Sequence, residues 1–343
     1  MEFREHRPED FLTKVSPVIY APDADCPRWR TFITEIMQGD KARADYLQKA
    51  IGYSLTGDTR MECLFILYGP TSRNGKGTTM ESILRIMGEY GKNADPTMLQ
   101  AKFNSQSGGP SEEIARLAGS RFVNISEPEK KITLDAALTK RLTGNDTITA
   151  RYLHENSFEF RPNFKIFINT NHRPNITDLT LFESGRIKII PFDRHFEENE
   201  QDKDLKSTFA KPENMSGILN WMLEGYKLFR SQGLAMPDSV VQATTDYQIF
   251  SDKMGQFFDE CIEEKEGCEL RRGAVYTRYK EWCGENGYRA EAAKNLNQEI
   301  EKRYKTARKR PNDGASSSTT PMVLDVAFTA SEESKEDFAP LTS

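Results

Sequence analysis

Apolar residues recur at helical spacing near the beginning of the chain. Two stripes, over residues 29–37 and 46–55, repeat at intervals of three and four positions on either side of Gly39-Asp40. That spacing predicts two packed amphipathic helices. Three prolines interrupt the segment before them, Pro17, Pro22 and Pro27. Residues 1–57 are therefore predicted to form a mostly helical leader or collar with a loop-rich start.

The pattern then changes to short continuous apolar runs. The run at 63–68 precedes Gly69-Pro70, and similar runs occupy 121–126, 164–169 and 186–190. Such runs are typical of strands buried on both faces. Because helical patterns lie between them, residues 58–195 are predicted to form an α/β core with a parallel sheet flanked by helices. Ligands of such sheets bind at the carboxyl ends of the strands.

The last third of the chain returns to helical patterns. Residues 196–250 form a helical extension with one apolar face, made by Ile218, Leu219, Met222, Tyr226 and Phe229. Helical stretches near 251–263, 271–284 and 291–303 precede a basic run and a strand-like run at 322–328. Three helices and a wing predict a winged-helix-like domain over 251–330. The low-complexity stretch 312–320 and the acidic tail 331–343 are predicted to be flexible.

Composition narrows the possible classes of protein. No apolar run approaches the roughly 18 residues that a membrane span needs, and the first residues lack a secretory pattern. A cytoplasmic protein with no membrane partner is expected. The five cysteines lack the paired spacing of zinc sites. With a net charge of only -5, any contact with nucleic acid must come from local basic patches.

A glycine-rich segment between a predicted strand and a predicted helix has the context of a phosphate-binding loop. It reads Gly69, Pro70, Thr71, Ser72, Arg73, Asn74, Gly75, Lys76, Gly77, Thr78 and Thr79. Its glycines let backbone N–H groups face phosphate oxygens, and Lys76 adds charge at the β and γ phosphates. Gly77 stands where Ser or Thr usually binds the metal. Thr78 is therefore the predicted Mg²⁺ ligand, directly or through water.

Polar residues follow the next two predicted strands. Glu127 and Glu129 come after the strand at 121–126, and either could hold a metal or orient the attacking water. The alternative for each is a solvated loop acid, and it has more weight for Glu129 than for Glu127. Asn171 follows the strand at 164–169, where an amide could sense the γ phosphate. The loop and these groups predict a nucleoside triphosphate site for ATP and Mg²⁺, with Glu127 as a second metal ligand.

The order of these motifs resembles superfamily 3 helicases of the phage, plasmid and poxvirus primase-associated branch. The resemblance covers residues 64–79, 125–129, 142–151, 158–162, 168–174, 185–187 and 217–221. It implies an AAA+-like P-loop fold and a hexameric ring with ATP between neighbouring subunits, translocating on single-stranded DNA. By position, Glu127 resembles the acid of the second motif, Asn171 the first sensor, and Arg186 the arginine finger. The alternative for Arg186 is a surface salt bridge.

Two regions are predicted to contact DNA. Residues 147–160 have the pattern of a hairpin, which in the resembling family projects into the central channel. Arg151 and His154, with Lys140 and Arg141 upstream, could bind phosphates, while Tyr152 or Phe158 stacks on a base or supports the hairpin. The alternative is a polar hairpin that only closes the sheet. The second region is a basic run, Lys302, Arg303, Lys305, Arg308, Lys309 and Arg310. Its alternative is a solvated face that binds nothing.

The sequence thus predicts an ATP-hydrolysing replicative DNA helicase acting on single-stranded and forked DNA. Because the motifs begin near residue 60, no primer synthesis by this polypeptide is expected, and a primase would be separate or fused upstream. Two alternatives stay open. One is a DNA-stimulated ATPase that loads or remodels other replication proteins, and the other is an origin-binding protein in which nucleotide only promotes assembly.

Overall fold

The computed structural model describes residues 3–101, 112–126, 132–309 and 319–329. The chain divides into two compact units, Met1–Ser251 and Asp252–Ser343. Within the described ranges, no helix has the length and apolar character needed to cross a membrane.

The first unit contains a five-stranded sheet whose strands all run parallel. The five strands of the sheet are β1 Leu64–Tyr68, β2 Gly91–Ala94, β3 Phe122–Ser126, β6 Lys165–Thr170 and β7 Ile187–Pro191. Two further strands, β4 Ile148–Ala150 and β5 Phe158–Phe160, form a separate hairpin. The order across the sheet is β2-β3-β6-β1-β7, and β4 pairs with β5 antiparallel. The predicted parallel core and hairpin are confirmed, and β2 is an additional edge strand.

Helices cover both faces of this sheet. They are α1 Pro27–Ile36, α2 Lys41–Tyr53, α3 Lys76–Met87, α4 Glu112–Ala115, α5 Ala136–Thr143, α6 Thr180–Glu183, α7 Leu205–Phe209, α8 Pro212–Gln232 and α9 Asp238–Ser251. Single 3-10 turns occur at Pro8–Asp10, Gly88–Tyr90, Pro96–Leu99 and Glu198–Glu200. Local capping explains two of the helix ends. Asp40 accepts a hydrogen bond from the Arg43 amide at the start of α2, and α8 ends at Gly233 with positive φ.

Alternating side chains of β1 supply two separate apolar cores. Phe65 and Leu67 point into the core that contains α1, α2, α3 and α8. Leu64 and Ile66 point into the other core, which receives Tyr247 of α9. This alternation follows from the two-residue period of a strand buried on both faces.

The N-terminal helices are built into the first of these cores. Trp29 packs edge-on against Trp221, with ring centroids 5.5 Å apart. Helices α2 and α8 touch through glycines, because a Cβ on Gly52 would lie 2.2 Å from the amide nitrogen of Tyr226. A Cβ on Gly225 would lie 2.1 Å from the carbonyl oxygen of Gln48. Residues 27–53 therefore share one core with the sheet and α8.

Lys165 is buried at the amino end of β6. Its Nζ donates to the carbonyl oxygens of Thr56 and Asp58 and lies 4.5 Å from the centre of the Tyr53 ring. Burial lowers the pKa of Lys165 from 10.5 to about 7. The charged form is disfavoured because the protein interior solvates an ammonium group less well than water does.

Stability is expected to depend on pH through Lys165. Between its folded pKa of about 7 and its ordinary 10.5 the unfolded chain binds more protons, so the free energy of unfolding should rise with pH. Lys165→Met should remove this rise, whereas Lys41→Met, at an exposed position, should not. Urea unfolding at a series of pH values, from neutral to about pH 10, measures how the free energy of unfolding changes with pH. Equal pH slopes for the wild type and Lys165→Met would contradict the assignment.

The second unit is a small domain of helices and an antiparallel sheet. Its described elements are α10 Lys253–Cys261, β8 Ile262–Arg271, α11 Arg272–Glu285, α12 Ala293–Arg303, β9 Thr306–Lys309 and β10 Thr320–Phe328. The strands lie in the order β8-β10-β9 around a core that includes Phe257, Tyr279 and Trp282. The three predicted helices and the last strand are present. The structure adds β8, and it places β9 inside the basic run.

Candidate functional site

The glycine-rich loop joins the carboxyl end of β1 to the start of α3. Gly75 has φ of +85°, and a Cβ there would lie 2.4 Å from Cγ2 of Ile36 in α1, so only glycine fits. The amide of Phe196 donates to the carbonyl oxygen of Arg73 at 2.9 Å. A ring nitrogen of His195 lies 2.8 Å from the carbonyl oxygen of Ser72. The loop is thus held from two sides, by α1 and by the segment that follows β7.

Lys76 and Asn171 meet at the carboxyl edge of the sheet. Lys76 is only 4% exposed, and its Nζ donates to Oδ1 of Asn171 at 2.7 Å and to the carbonyl oxygen of Gly69 at 3.4 Å. The contact arises because β1 and β6 are neighbours, with Tyr68 opposite Thr170. Two residues predicted from distant parts of the sequence therefore belong to one site.

A cavity of about 240 Å³, here called the loop cavity, opens in front of this pair. Its lining consists of Ser72, Arg73, Asn74, Gly75, Lys76, Gly77, Thr78, Asn169, Thr170, Asn171 and Lys206. No acidic residue occupies the first turn of α3. The N-terminus of α3 and the buried ammonium group of Lys76 give the loop cavity a positive potential suited to a polyanion.

The two threonines after Lys76 differ in their hydrogen bonding. Thr79 is fully buried, and its hydroxyl donates to the carbonyl oxygen of Gly75 at 3.0 Å. Thr78 lines the loop cavity, and its hydroxyl bonds to no residue that the structure describes. Thr78 therefore has a free hydroxyl oxygen of the kind that Mg²⁺ binds. The other predicted metal ligand, Glu127, lies outside the described residues, as does Glu129.

In the part of the chain that the structure describes, clusters of His, Cys, Asp and Glu do not supply an alternative metal site. Across residues 3–101, 112–126, 132–309 and 319–329, no group of three or more His, Cys, Asp and Glu side chains could hold a metal ion. The cysteines in these ranges are free thiols.

Arg186 lies at the opposite end of the sheet from the loop. It directly precedes β7, whose first residue Ile187 pairs with Leu64 at the amino end of β1. At roughly 3.3 Å per residue, about 13 Å of strand separates that end from Tyr68. The guanidinium donates to Oε2 of Glu62 at 2.7 Å and to Oγ1 of Thr143 at 2.9 Å. Arg186 is therefore not part of the loop cavity of its own chain.

The β4–β5 hairpin carries an exposed turn. Arg151 and His154 are exposed, and His154 has φ of +64°. Tyr152 stacks on Phe158 with ring centroids 5.7 Å apart, and its hydroxyl donates to the carbonyl oxygen of Ala115 at 3.1 Å. Of the two roles open for Tyr152, the structure favours support of the hairpin. Leu153, at 69% exposure, is the apolar residue of the turn.

The other residues predicted to contact DNA differ in their hydrogen bonds, ion pairs and exposure. Lys140 donates to Asp178 at 2.9 Å and to Thr180 at 2.7 Å, whereas Arg141 is exposed on α5. In the second unit, Lys302, Arg303 and Lys309 form ion pairs with Glu299, Asp252 and Glu269. Lys305 and Arg308 are exposed. Arg310 lies outside the described residues.

Two related protein-family models match opposite ends of the chain. The model described as "D5 N terminal like" matches residues 1–38, and the model described as "Poxvirus D5 protein-like" matches residues 250–330. The chain thus carries D5-like regions at both of its ends. Between these two regions, a family of unknown function matches residues 67–186 of the D5-like chain, which include the loop, Asn171 and Arg186.

Several viral proteins are similar to the D5-like chain. "Putative helicase L207/L206" of Acanthamoeba polyphaga mimivirus is 27% identical over 307 residues, which cover 83% of this chain and 32% of that protein. "Putative helicase 022R" of Frog virus 3 is 26% identical over 272 residues, covering 74% of this chain and 28% of that protein. The D5-like chain thus spans about a third of the length of these relatives.

A solved structure shares the fold of the D5-like chain. The apo structure of the NrS-1 C terminal region superposes with a TM-score of 0.54 at 12% identity, covering 91% of this chain and 78% of that chain. At this identity the likeness concerns the fold alone.

Sequence reasoning missed a polar ladder next to the loop in the D5-like chain. The side-chain amide of Asn169 donates to Asn124 and to Ser126, both at 2.9 Å, and the amide of Asn124 donates to Asn93 at 2.8 Å. These side chains link the carboxyl ends of β2, β3 and β6. The available signal was an asparagine inside each of two otherwise apolar strands. Hydrogen-bonded amides in a low-dielectric interior fix the relative position of the strands that carry them.

Proposed function

We propose that this D5-like chain is the motor of an ATP-dependent DNA helicase that assembles as a ring, expected to be a hexamer, and moves along single-stranded DNA. The observation that carries the proposal is the contact between Lys76 and Asn171 at the edge of a parallel sheet, in front of a basic cavity. The viral relatives named "Putative helicase" support the same conclusion.

The site residues divide the proposed chemistry among them. Lys76 and the loop amides neutralise the β and γ phosphates, and Asn171 positions the attacking water. Thr78, with Glu127, would hold Mg²⁺, which when bound neutralises phosphate charge. The buried Asn169–Asn124 pair fixes β6, which leads to Asn171, against its neighbour β3.

The position of Arg186 supports action between subunits. It lies at the amino end of β7, whereas the loop follows the carboxyl end of β1. An arginine at that distance cannot stabilise the transferring phosphoryl group in its own chain. In a ring, the same residue can reach the loop cavity of a neighbouring copy, which is why we propose a homo-oligomer.

The arrangement of elements supports the finer fold assignment. In the strand order β2-β3-β6-β1-β7, the strand leading to Asn171 separates the loop strand from β3, as expected for an AAA+-like P-loop core. The order α10-β8-α11-α12-β9-β10 in the second unit supports the winged-helix prediction. Its exposed Lys305 and Arg308 make it the proposed duplex-contacting part.

The hairpin is expected to couple hydrolysis to movement. Replacing both Arg151 and His154 by alanine should leave basal ATP turnover within about twofold and remove most of its stimulation by single-stranded DNA, since two exposed phosphate-binding groups are lost. Lys227→Ala, which removes an exposed charge on α8, is the matched control and should behave as wild type. DNA-stimulated turnover that persists in the double variant would assign translocation to another surface.

ATP turnover with and without single-stranded DNA, together with displacement of a strand from a forked duplex, tests the proposed function. A helicase motor gives stimulated turnover and displacement. Stimulated turnover without displacement would favour an ATPase that loads or remodels other proteins. Binding of duplex DNA with no turnover would favour an origin-binding protein and would overturn the motor assignment.

A further inference from the structure

A second cavity of about 200 Å³ opens beside the loop. It shares the lining residues Arg73, Gly75 and Thr78 with the loop cavity, so the two cavities adjoin along the loop. Small-molecule sites usually occupy roughly 300 Å³ or more. Each cavity alone falls short of that size, whereas the two together exceed it.

The walls of the second cavity differ from those of the loop cavity. Phe32 of α1, Phe196 and Leu205 provide apolar surface on one part of the wall, and residues 200–203 make another part polar. Helix α1 adds Arg28 and Glu35, whose side chains form an ion pair at 3.1 Å. A base, which is flat, largely apolar on its faces and polar at its edges, suits such a lining.

Phe196 is fixed where a flat ligand could stack on it. Its amide donates to the carbonyl oxygen of Arg73, and its own carbonyl oxygen accepts from Gln201 at 3.0 Å. The guanidinium of Arg194 lies 4.8 Å from the centre of the Phe196 ring and is itself paired with Glu200. The ring is partly exposed and lines the second cavity.

We propose that the second cavity holds the base and ribose of the nucleoside triphosphate whose phosphates occupy the loop cavity, with Phe196 as the stacking residue. The inference rests on the proposed function, because it assumes that the loop cavity binds phosphates. It also gives the N-terminal helix α1 a direct part in ligand binding, through Arg28 and Glu35 at the base edge.

Inorganic tripolyphosphate probes the loop cavity alone, because it has the phosphates of ATP and no nucleoside. Phe196→Ala should weaken ATP binding about tenfold, the loss of one stacking contact, and leave tripolyphosphate binding within about twofold. Phe196→Leu keeps apolar packing and removes the flat ring, so it should show the same selective loss if Phe196→Ala does not fold. Phe11→Ala, at an exposed aromatic position, is the matched control.

Titration calorimetry with both ligands distinguishes the outcomes. Unchanged ATP affinity in the Phe196 variants, or an equal loss for ATP and tripolyphosphate, would overturn the base-binding assignment while leaving the loop cavity as a phosphate site. If the wild-type chain binds neither ligand, the proposed function fails and this inference fails with it.

Discussion

Lys76→Ala is expected to lower ATP turnover at least about 100-fold, because it removes a preorganised charge from the phosphate site. In the structure Lys76 is almost fully buried and bonded to Asn171, so water cannot replace its ammonium group without rearrangement. Steady-state phosphate release by the purified variant, compared with the wild type, measures the effect. Thermal unfolding of the same samples shows whether the fold is retained.

Lys206→Ala is the matched control for this substitution. Lys206 lines the same loop cavity, but it is exposed and its Nζ pairs with Glu81 at 2.6 Å. Its loss should change turnover by no more than about threefold, as expected for an exposed charge. Near-normal turnover in a folded Lys76→Ala protein would end the motor assignment, whatever the control shows.

Arg186→Ala is expected to reduce turnover about 10³-fold or more, the effect of an arginine finger. If Arg186 acts on the site of a neighbouring subunit, mixing inactive Arg186→Ala with inactive Lys76→Ala chains should restore part of the activity. Some interfaces in the mixed ring would pair an intact loop with an intact arginine. Turnover measured against the mixing ratio should therefore pass through a maximum.

Glu62→Gln separates this role from a structural ion pair. Glu62 holds the Arg186 guanidinium at 2.7 Å. If Arg186 served only that pair, Glu62→Gln should be as damaging as Arg186→Ala. A catalytic Arg186 predicts that Glu62→Gln retains most of its turnover. Absence of recovery in mixtures whose co-assembly has been verified by mass would contradict action between subunits.

The parts of the fold that sequence patterns predicted are those with strong local signals. Four of the five sheet strands are continuous apolar runs, and they were recognised because strands buried on both faces need such residues. The meeting of Lys76 with Asn171 was also foreseeable, since parallel strands place their carboxyl ends at one edge.

The elements that were missed depend on pairing rather than on local composition. Strand β2 reads Gly-Lys-Asn-Ala and β8 is rich in charged residues, and neither has the apolar pattern of a strand. Both are edge strands, so one neighbour, β3 or β10, is enough to fix them. The Asn93–Asn124–Asn169 ladder was likewise not predicted, because the asparagines in the sequence become neighbours only through the register of three strands.

The packing of Gly75 against Ile36 affects how deletion experiments should be interpreted. A fragment trimmed to begin at β1 would keep every residue of the loop and yet lose the wall on which the loop rests. Under the proposed function, we expect such a fragment to lose nucleotide hydrolysis even if ring assembly does not matter. A loss of activity on truncation therefore does not by itself show that the leader, residues 1–57, acts in ring assembly. Point substitutions on the outer surface of α1, which spare Phe32 and Ile36, are the informative alternative.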